Sequence, residues 1–258
     1  MAIIDTHSHL FFASFDDDRD QVISAAQAQG VEQIWMAGVA RESWQTQASL
    51  AANDSRLRNA YGLHPYFIEQ HQQSDVDALA QWLADHDAIA VGEIGLDATC
   101  AHFDKQRSLF IEQLKLAKKL QLPVILHHRK TLDEMIPLLK QYGPEQGGII
   151  HAFSGSAQQL QHYTALNYLI GVGGVITYSR AQKTRAAIAN ASLDCLLLET
   201  DSPDMPIAGY QGQRNEPKRI KQVLDALVEL RPEAAAEVEQ QLFQTSHQFL
   251  LRAKARNQ

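Results

Sequence analysis

A chain of 258 residues with 45% hydrophobic and 21% charged residues has ordinary globular composition, enough for one large α/β domain or two small ones. Its formal net charge of -7 argues against a broad basic face gripping duplex nucleic acid. A small nucleic-acid substrate stays open, because a bound divalent cation adds positive charge that the count omits.

Cys100 and Cys195 lie far apart, each in or beside an apolar segment, and are expected to be buried free thiols in a reducing compartment. The chain enters a strand at once, leaving no room for a signal peptide, and no apolar run approaches the ~18 residues of a membrane span. A cytoplasmic, soluble protein is expected. No low-complexity segment or Pro/Gly/Ser-rich linker divides the chain, so one domain over residues 1–258 is expected.

The first segment, "IIDTHSHL" at positions 3 to 10, is an apolar run ending in two histidines. Side chains two apart on an extended segment share a face, so His7 and His9 project together, with Asp5 below them. The acidic run "DDDRD" at 16 to 20 reads as a solvated helix start, where aspartates suit the positive N-terminal end. Strand candidates then recur: "AIID", "VEQIWMAG", "RNAYGLH", "AIAVGEIG", "LPVILHH", "GGIIHAF", "YLIGVGG" and "CLLLETD". Most are apolar almost throughout, the mark of parallel strands covered on both faces.

Helical spacing separates them, most clearly at Leu109, Phe110, Leu114, Ala117 and Leu120. Two further helices follow the last strand, one carrying Ile220, Val223, Leu224 and Leu227, the other Val238, Leu242, Phe249 and Leu250. Eight strand–helix alternations in this length predict an α/β protein of the (β/α)8 TIM-barrel type. A doubly wound open sheet would need a Gly-rich first turn, and "THSHLFF" stands there instead.

Chemically unusual residues gather at the C-terminal strand ends: His7 and His9, His64, Glu93 and Asp97, His127 and His128, His151, and Glu199 and Asp201. In a parallel barrel these ends open on one face, where active sites are built, and six of the 11 histidines fall there. His64 alone reads equally as a hydrogen-bonded outer residue or a substrate-facing one. Glu93 and Asp201 interrupt segments that otherwise read as buried, and a buried carboxylate needs a partner or a metal. Of the adjacent His127 and His128, one is expected to face the mouth. His71, His86, His102, His162 and His247 read as solvated residues of helices or loops.

This mixed nitrogen and oxygen donor set suits Zn, Mn, Fe or Co and tolerates Mg. One ion rarely takes six protein ligands and keeps an open position. Two divalent ions sharing a bridging carboxylate are the more economical reading, with Glu93 as the bridge.

With "DTHSHL", "GLHP", "VGEIGLD", "QLKLAKKLQLPVILHHR", "HAFSG", "LLLETDSP" and "RNEP" in one order from residue 5 to residue 217, the chain resembles the TatD family of metal-dependent deoxyribonucleases and related hydrolases. The resemblance implies that His7, His9, Glu93 and Asp201 hold one metal and that Glu93, His127 and His151 hold a second. His128 then takes the variable position, His64 lines the substrate pocket, and Arg129 and Arg214 resemble substrate-side residues able to pair with phosphate. For either arginine a surface salt bridge is the alternative. The chain departs from the family after "GLD", where "ATCAHF" replaces an aromatic pair, and after "ETDSP", where "DMPIAGYQGQRNEP" follows. The "DMP…GYQGQ" form resembles a YjjV-type subgroup.

The function so implied is a two-metal phosphodiesterase, a 3'→5' exonuclease on single-stranded DNA, with Mg, Mn or Zn as cofactor and no obligate protein partner. Asp201 would accept the attacking water's proton, and Glu93 would share the catalytic centre. Glu199 would sit one layer deeper, beneath Asp201. Cleavage of a carboxyl ester or amide, such as a small lactone or an aminoacyl ester on tRNA, is the alternative, because no stripe of basic and aromatic residues is visible. A non-catalytic metal-bearing module is the third reading, disfavoured because a structural site is closed.

Overall fold

The computed structural model describes residues 2–254. Eight strands, β1 (Ile3–Ser8), β2 (Val31–Ala37), β3 (Leu57–Tyr61), β4 (Ala90–Asp97), β5 (Val124–Arg129), β6 (Gly148–Ile150), β7 (Tyr168–Val172) and β8 (Leu196–Leu198), form one parallel sheet in sequence order. Seven helices follow the first seven strands: α1 (Arg19–Ala28), α2 (Arg41–Asn53), α3 (Ser74–Asp85), α4 (Phe103–Leu120), α5 (Leu132–Tyr142), α6 (Ala157–Thr164) and α7 (Gln182–Ala189). After β8 come α8 (Ile220–Leu230) and α9 (Ala235–Lys254). This is the (β/α)8 barrel that the alternation predicts. Among the described residues no helix is long and apolar enough to cross a membrane.

The barrel closes where the segment after β8 returns to β1. Asp201 donates its N–H to the His7 carbonyl at 2.9 Å, and His9 donates to the Ser202 carbonyl at 2.7 Å. Thr6 Oγ1 adds a bond to the Leu198 carbonyl at 2.9 Å. Residues nearly two hundred positions apart are thus fixed in register by backbone bonds.

Strand periodicity then sorts the barrel interior into two layers. Ile4, Trp35, Ile125, Ile149 and Leu197 pack with Phe249 and Leu250 of α9 in a buried apolar cluster. Two positions beyond Ile125, Ile149 and Leu197 stand His127, His151 and Glu199, which the strand repeat directs to the same side. The outward strand residues, among them Ile34, Val124, Leu126 and Ile170, pack under helix residues such as Phe110, Leu114, Val223 and Leu227. One fully buried Leu or Phe side chain contributes about 1.5–3 kcal/mol, so this shell holds the scaffold on which the polar upper layer sits.

Three expectations need correction. His71 is 1% exposed rather than solvated, because its Nε2 bonds the His64 carbonyl at 2.9 Å under the β3–α3 loop. His86 is half-buried, its ring stacked on Trp82 at 3.7 Å. Cys100 and Cys195 are free, as expected, but half-buried. The 16–20 run does span the start of α1, with two of its acids paired, Asp16 with Arg19 at 2.5 Å and Asp18 with Arg214 at 2.6 Å.

Candidate metal centre

Glu93, near the middle of β4 and 1% exposed, stands among imidazoles from several strands. Its Oε2 lies 2.9 Å from His7 Nε2 and 3.5 Å from His9 Nε2. Its Oε1 lies 3.0 Å from His64 Nε2, 3.1 Å from His127 Nδ1 and 3.8 Å from His151 Nε2. Asp201 completes the ring, with Oδ1 at 3.4 Å from His9 and 3.7 Å from His7, and Oδ2 at 3.7 Å from His151. Asp201 reaches this position from beyond β8, at a backbone φ of 61°.

The donor set fits a divalent cation on two counts. Nitrogen and oxygen ligands about 2.0–2.1 Å from a tetrahedral zinc stand about 3.4 Å apart. The His7, His9, Glu93 and Asp201 distances bracket that spacing. Second, the outer nitrogens of His9, His127 and His151 stand near acceptors, whereas the buried Nδ1 of His7 has no hydrogen-bond partner among the described residues. His9 Nδ1 lies 2.8 Å from the Ala37 carbonyl, His151 Nδ1 lies 3.1 Å from Glu199 Oε1, and His127 Nε2 lies 3.2 Å from Asp97 Oδ2. A carbonyl or carboxylate accepts only, so in the neutral ring the hydrogen sits outside and the inner lone pair faces the cluster. Distance alone groups His7, His9 and Asp201, then His7, Glu93 and His151, then His64, Glu93 and His127 as sets able to hold an ion.

Protonation follows from this crowding. Burial pushes the Glu93 carboxyl up, but His64, His7 and His151 around it outweigh burial and hold it well below the usual range. Burial likewise pushes His151 down, and the Glu199, Asp201 and Glu93 carboxylates reverse this to about 10. His64 shows burial winning, at about 4. Burial, with His127 and His151 beside it, takes His128 down to about 3. Desolvation raises Asp5, below the cluster, to about 8, although it accepts both the Thr200 N–H and the Thr200 hydroxyl.

Glu199 lies beneath, as its position two before Asp201 predicts, and accepts the Ala152 N–H at 2.5 Å. Gly171 makes the room: a Cβ there would stand 2.3 Å from Glu199 Oε2.

The cluster floors a pocket of about 610 Å³. His64, His128 and Arg129 reach its wall, with Asp97, Asp204, Phe12, Tyr66, Phe67 and Met205. Arg214 is engaged elsewhere: it grips Asp18 through its two terminal guanidinium nitrogens, at 2.9 and 2.6 Å, and lies over the Phe15 ring at 4.5 Å. Sequence reasoning placed Asp97 at a strand end without a role, and it missed the aromatic rim. Phe12, Tyr66 and Phe67 follow directly on the "THSHL" and "GLHP" motifs, and that adjacency was the available signal.

Comparison with known proteins finds relatives along nearly the whole chain. The family model described as TatD related DNase matches residues 4–250. The uncharacterized metal-dependent hydrolase YjjV of Escherichia coli K12 is 44% identical over 95% of this chain and 96% of its own length. The crystal structure of YjjV superposes with a TM-score of 0.93 at 43% identity, covering 96% of this chain and 97% of that one. The 3'-5' ssDNA/RNA exonuclease TatD of Escherichia fergusonii is 29% identical over 91% of this chain and 93% of its own length.

Proposed function

The chain belongs to the TatD family of metal-dependent hydrolases, and from that premise we propose that it is a two-metal phosphodiesterase acting on single-stranded DNA from the 3' end. One observation carries the reading: the two oxygens of Glu93 face different imidazole sets, the arrangement a bridging carboxylate needs. His7, His9, Glu93 and Asp201 would hold one ion, and Glu93, His127 and His151 the other. Mg, Mn or Zn there would polarise a phosphoryl oxygen and bring a water's pKa toward neutrality.

The chain's own residues do the rest. Asp201 faces the pocket with its carboxyl held below the usual range, since neighbouring His151, His9 and His7 outweigh burial. It is therefore a carboxylate at neutral pH, able to accept the attacking water's proton. Arg129 supplies a guanidinium at the wall for a phosphate. Phe12, Tyr66 and Phe67 offer flat apolar surface, and Tyr66 is 65% exposed. An exposed ring beside a phosphate site, flanked by the half-buried Phe12 and Phe67, suits stacking of a nucleobase.

A second reading keeps one observation of its own. Among the described residues lining the pocket, Arg129 is the only Arg or Lys, beside the acids Asp97 and Asp204, which is sparse for a polyanion. A small, weakly charged carboxyl ester or amide, such as a lactone, fits that balance. The assay separates them: protein reloaded with Mg, Mn or Zn is given end-labelled single-stranded DNA, a generic phosphodiester and a generic carboxyl ester. Metal-dependent release of mononucleotides, lost in Glu93→Ala, supports the nuclease. Ester turnover without nucleotide release would replace it with the second reading.

A further inference from the structure

His64 differs from its neighbours in which way its hydrogen points. It caps the 3-10 helix Pro65–Phe67, its Nδ1 accepting the Tyr66 backbone N–H at 3.0 Å. A backbone N–H only donates, so Nδ1 holds a lone pair and the hydrogen of the neutral ring sits on Nε2. Nε2 stands 3.0 Å from Glu93 Oε1 and donates to it. At His9, His127 and His151 the outer nitrogen stands within 3.2 Å of an acceptor, so each ring, once neutral, can keep its hydrogen outside and turn a lone pair inward. Spacing alone admits His64, Glu93 and His127 as an ion-holding set, but the inward hydrogen leaves His64 no lone pair to offer there.

The backbone around His64 is pinned. Its N–H donates to the Val39 carbonyl at 2.8 Å, and its carbonyl takes the bond from buried His71. Its ring meets His127 edge-on at 4.2 Å. Turning the ring to expose a lone pair inward would break the helix cap and leave the Tyr66 N–H without this acceptor.

We propose that His64 is a positioning residue, not a metal ligand: its Nε2–H holds Glu93 Oε1, keeping the two carboxylate oxygens divided between the His7/His9/Asp201 side and the His127/His151 side. The assignment rests on the reading that those two sides hold metal ions. Two substitutions separate the roles of the ring nitrogens. His64→Gln places an amide N–H near the Nε2 position and retains the inner donor. His64→Asn places an amide oxygen near Nδ1, retaining the cap and losing the donor.

The test is zinc titration of the stripped full-length protein by calorimetry, with nitrogen NMR of histidine-labelled wild type. Wild type and His64→Gln are expected to bind two ions alike. His64→Asn is expected to keep the first and bind the second about 10- to 100-fold more weakly, the range for an outer partner of a ligand. The His64 ring is expected to show Nε2–H before and after zinc. Loss of that hydrogen on loading, or loss of the second ion from His64→Gln and His64→Asn equally, would make His64 a ligand and overturn the proposal. Unchanged zinc binding in both variants would overturn it too. Fewer than two ions in wild type would defeat the metal reading itself, and this assignment with it; the NMR result stands even where a variant fails to fold.

Discussion

The two ends of one barrel are built from the same strands and obey opposite rules. At the closed end, Ile4, Trp35, Ile125, Ile149 and Leu197 meet Phe249 of α9, and the Trp35 and Phe249 rings stack at 5.4 Å. At the open end, equally buried positions hold Glu93, His7, His151 and Glu199. Apolar burial is favourable without a partner, whereas each buried acid or imidazole needs a compensating charge, hydrogen bond or ion. Stability should therefore come from the closed end and chemistry from the open one, and substitutions should divide accordingly.

The largest effect is expected from Glu93→Ala. Removing the carboxylate at the centre of the imidazole cluster should lower kcat/KM by more than about 10³-fold, beyond the 10²–10³ that loss of one electrostatic contact costs. Steady-state kinetics beside an unchanged circular-dichroism spectrum checks this. Phe249→Ala should do the reverse. It should cost about 3–5 kcal/mol in urea unfolding while kcat/KM stays within about twofold at a temperature where the variant is folded. A large loss of turnover there would break the division of labour.

Metal linkage sharpens the contrast. A cation present at about 100 times its dissociation constant should stabilise the fold by about 2.7 kcal/mol. Phe249→Ala should keep this increment and Glu93→Ala should lose most of it, as read from melting with and without chelator. The smallest effect lies on the rim, where Arg214 bonded to Asp18 holds that carboxyl below its ordinary value. The ion pair is complete above the ordinary Asp pKa and its contribution disappears as pH falls through the depressed one. Asp18→Asn should thus be slightly less stable than wild type at pH 7, with the gap closing in acid; a gap that widens in acid would contradict the assignment.

What the sequence discloses follows the same division. His7, His9, His127, His151 and Asp201, at or just beyond strand ends, were legible because the period-two repeat and the parallel barrel bring strand ends to one face; Glu93, expected at a strand end, lies within β4 instead and was legible as a charge interrupting an apolar run. The apolar layer was legible as unbroken hydrophobic runs. Contacts made by the backbone were not: the Ala37 carbonyl that orients His9, or the Tyr66 N–H that orients His64, has no side-chain signature. Long-range polar pairs were equally hidden, since Arg214 and Asp18 are 196 positions apart and neither belongs to a periodic pattern. His71 read as solvated because its loop is polar, and its burial depends on a carbonyl whose position only the fold determines.

The central claim is that Glu93 bridges two ions, and anomalous X-ray scattering from zinc- or manganese-loaded crystals tests it most directly. Two peaks are predicted, both in contact with the Glu93 carboxylate, one beside His7, His9 and Asp201 and the other beside His127 and His151. A single fully occupied peak, or peaks that leave Glu93 untouched, would contradict the account.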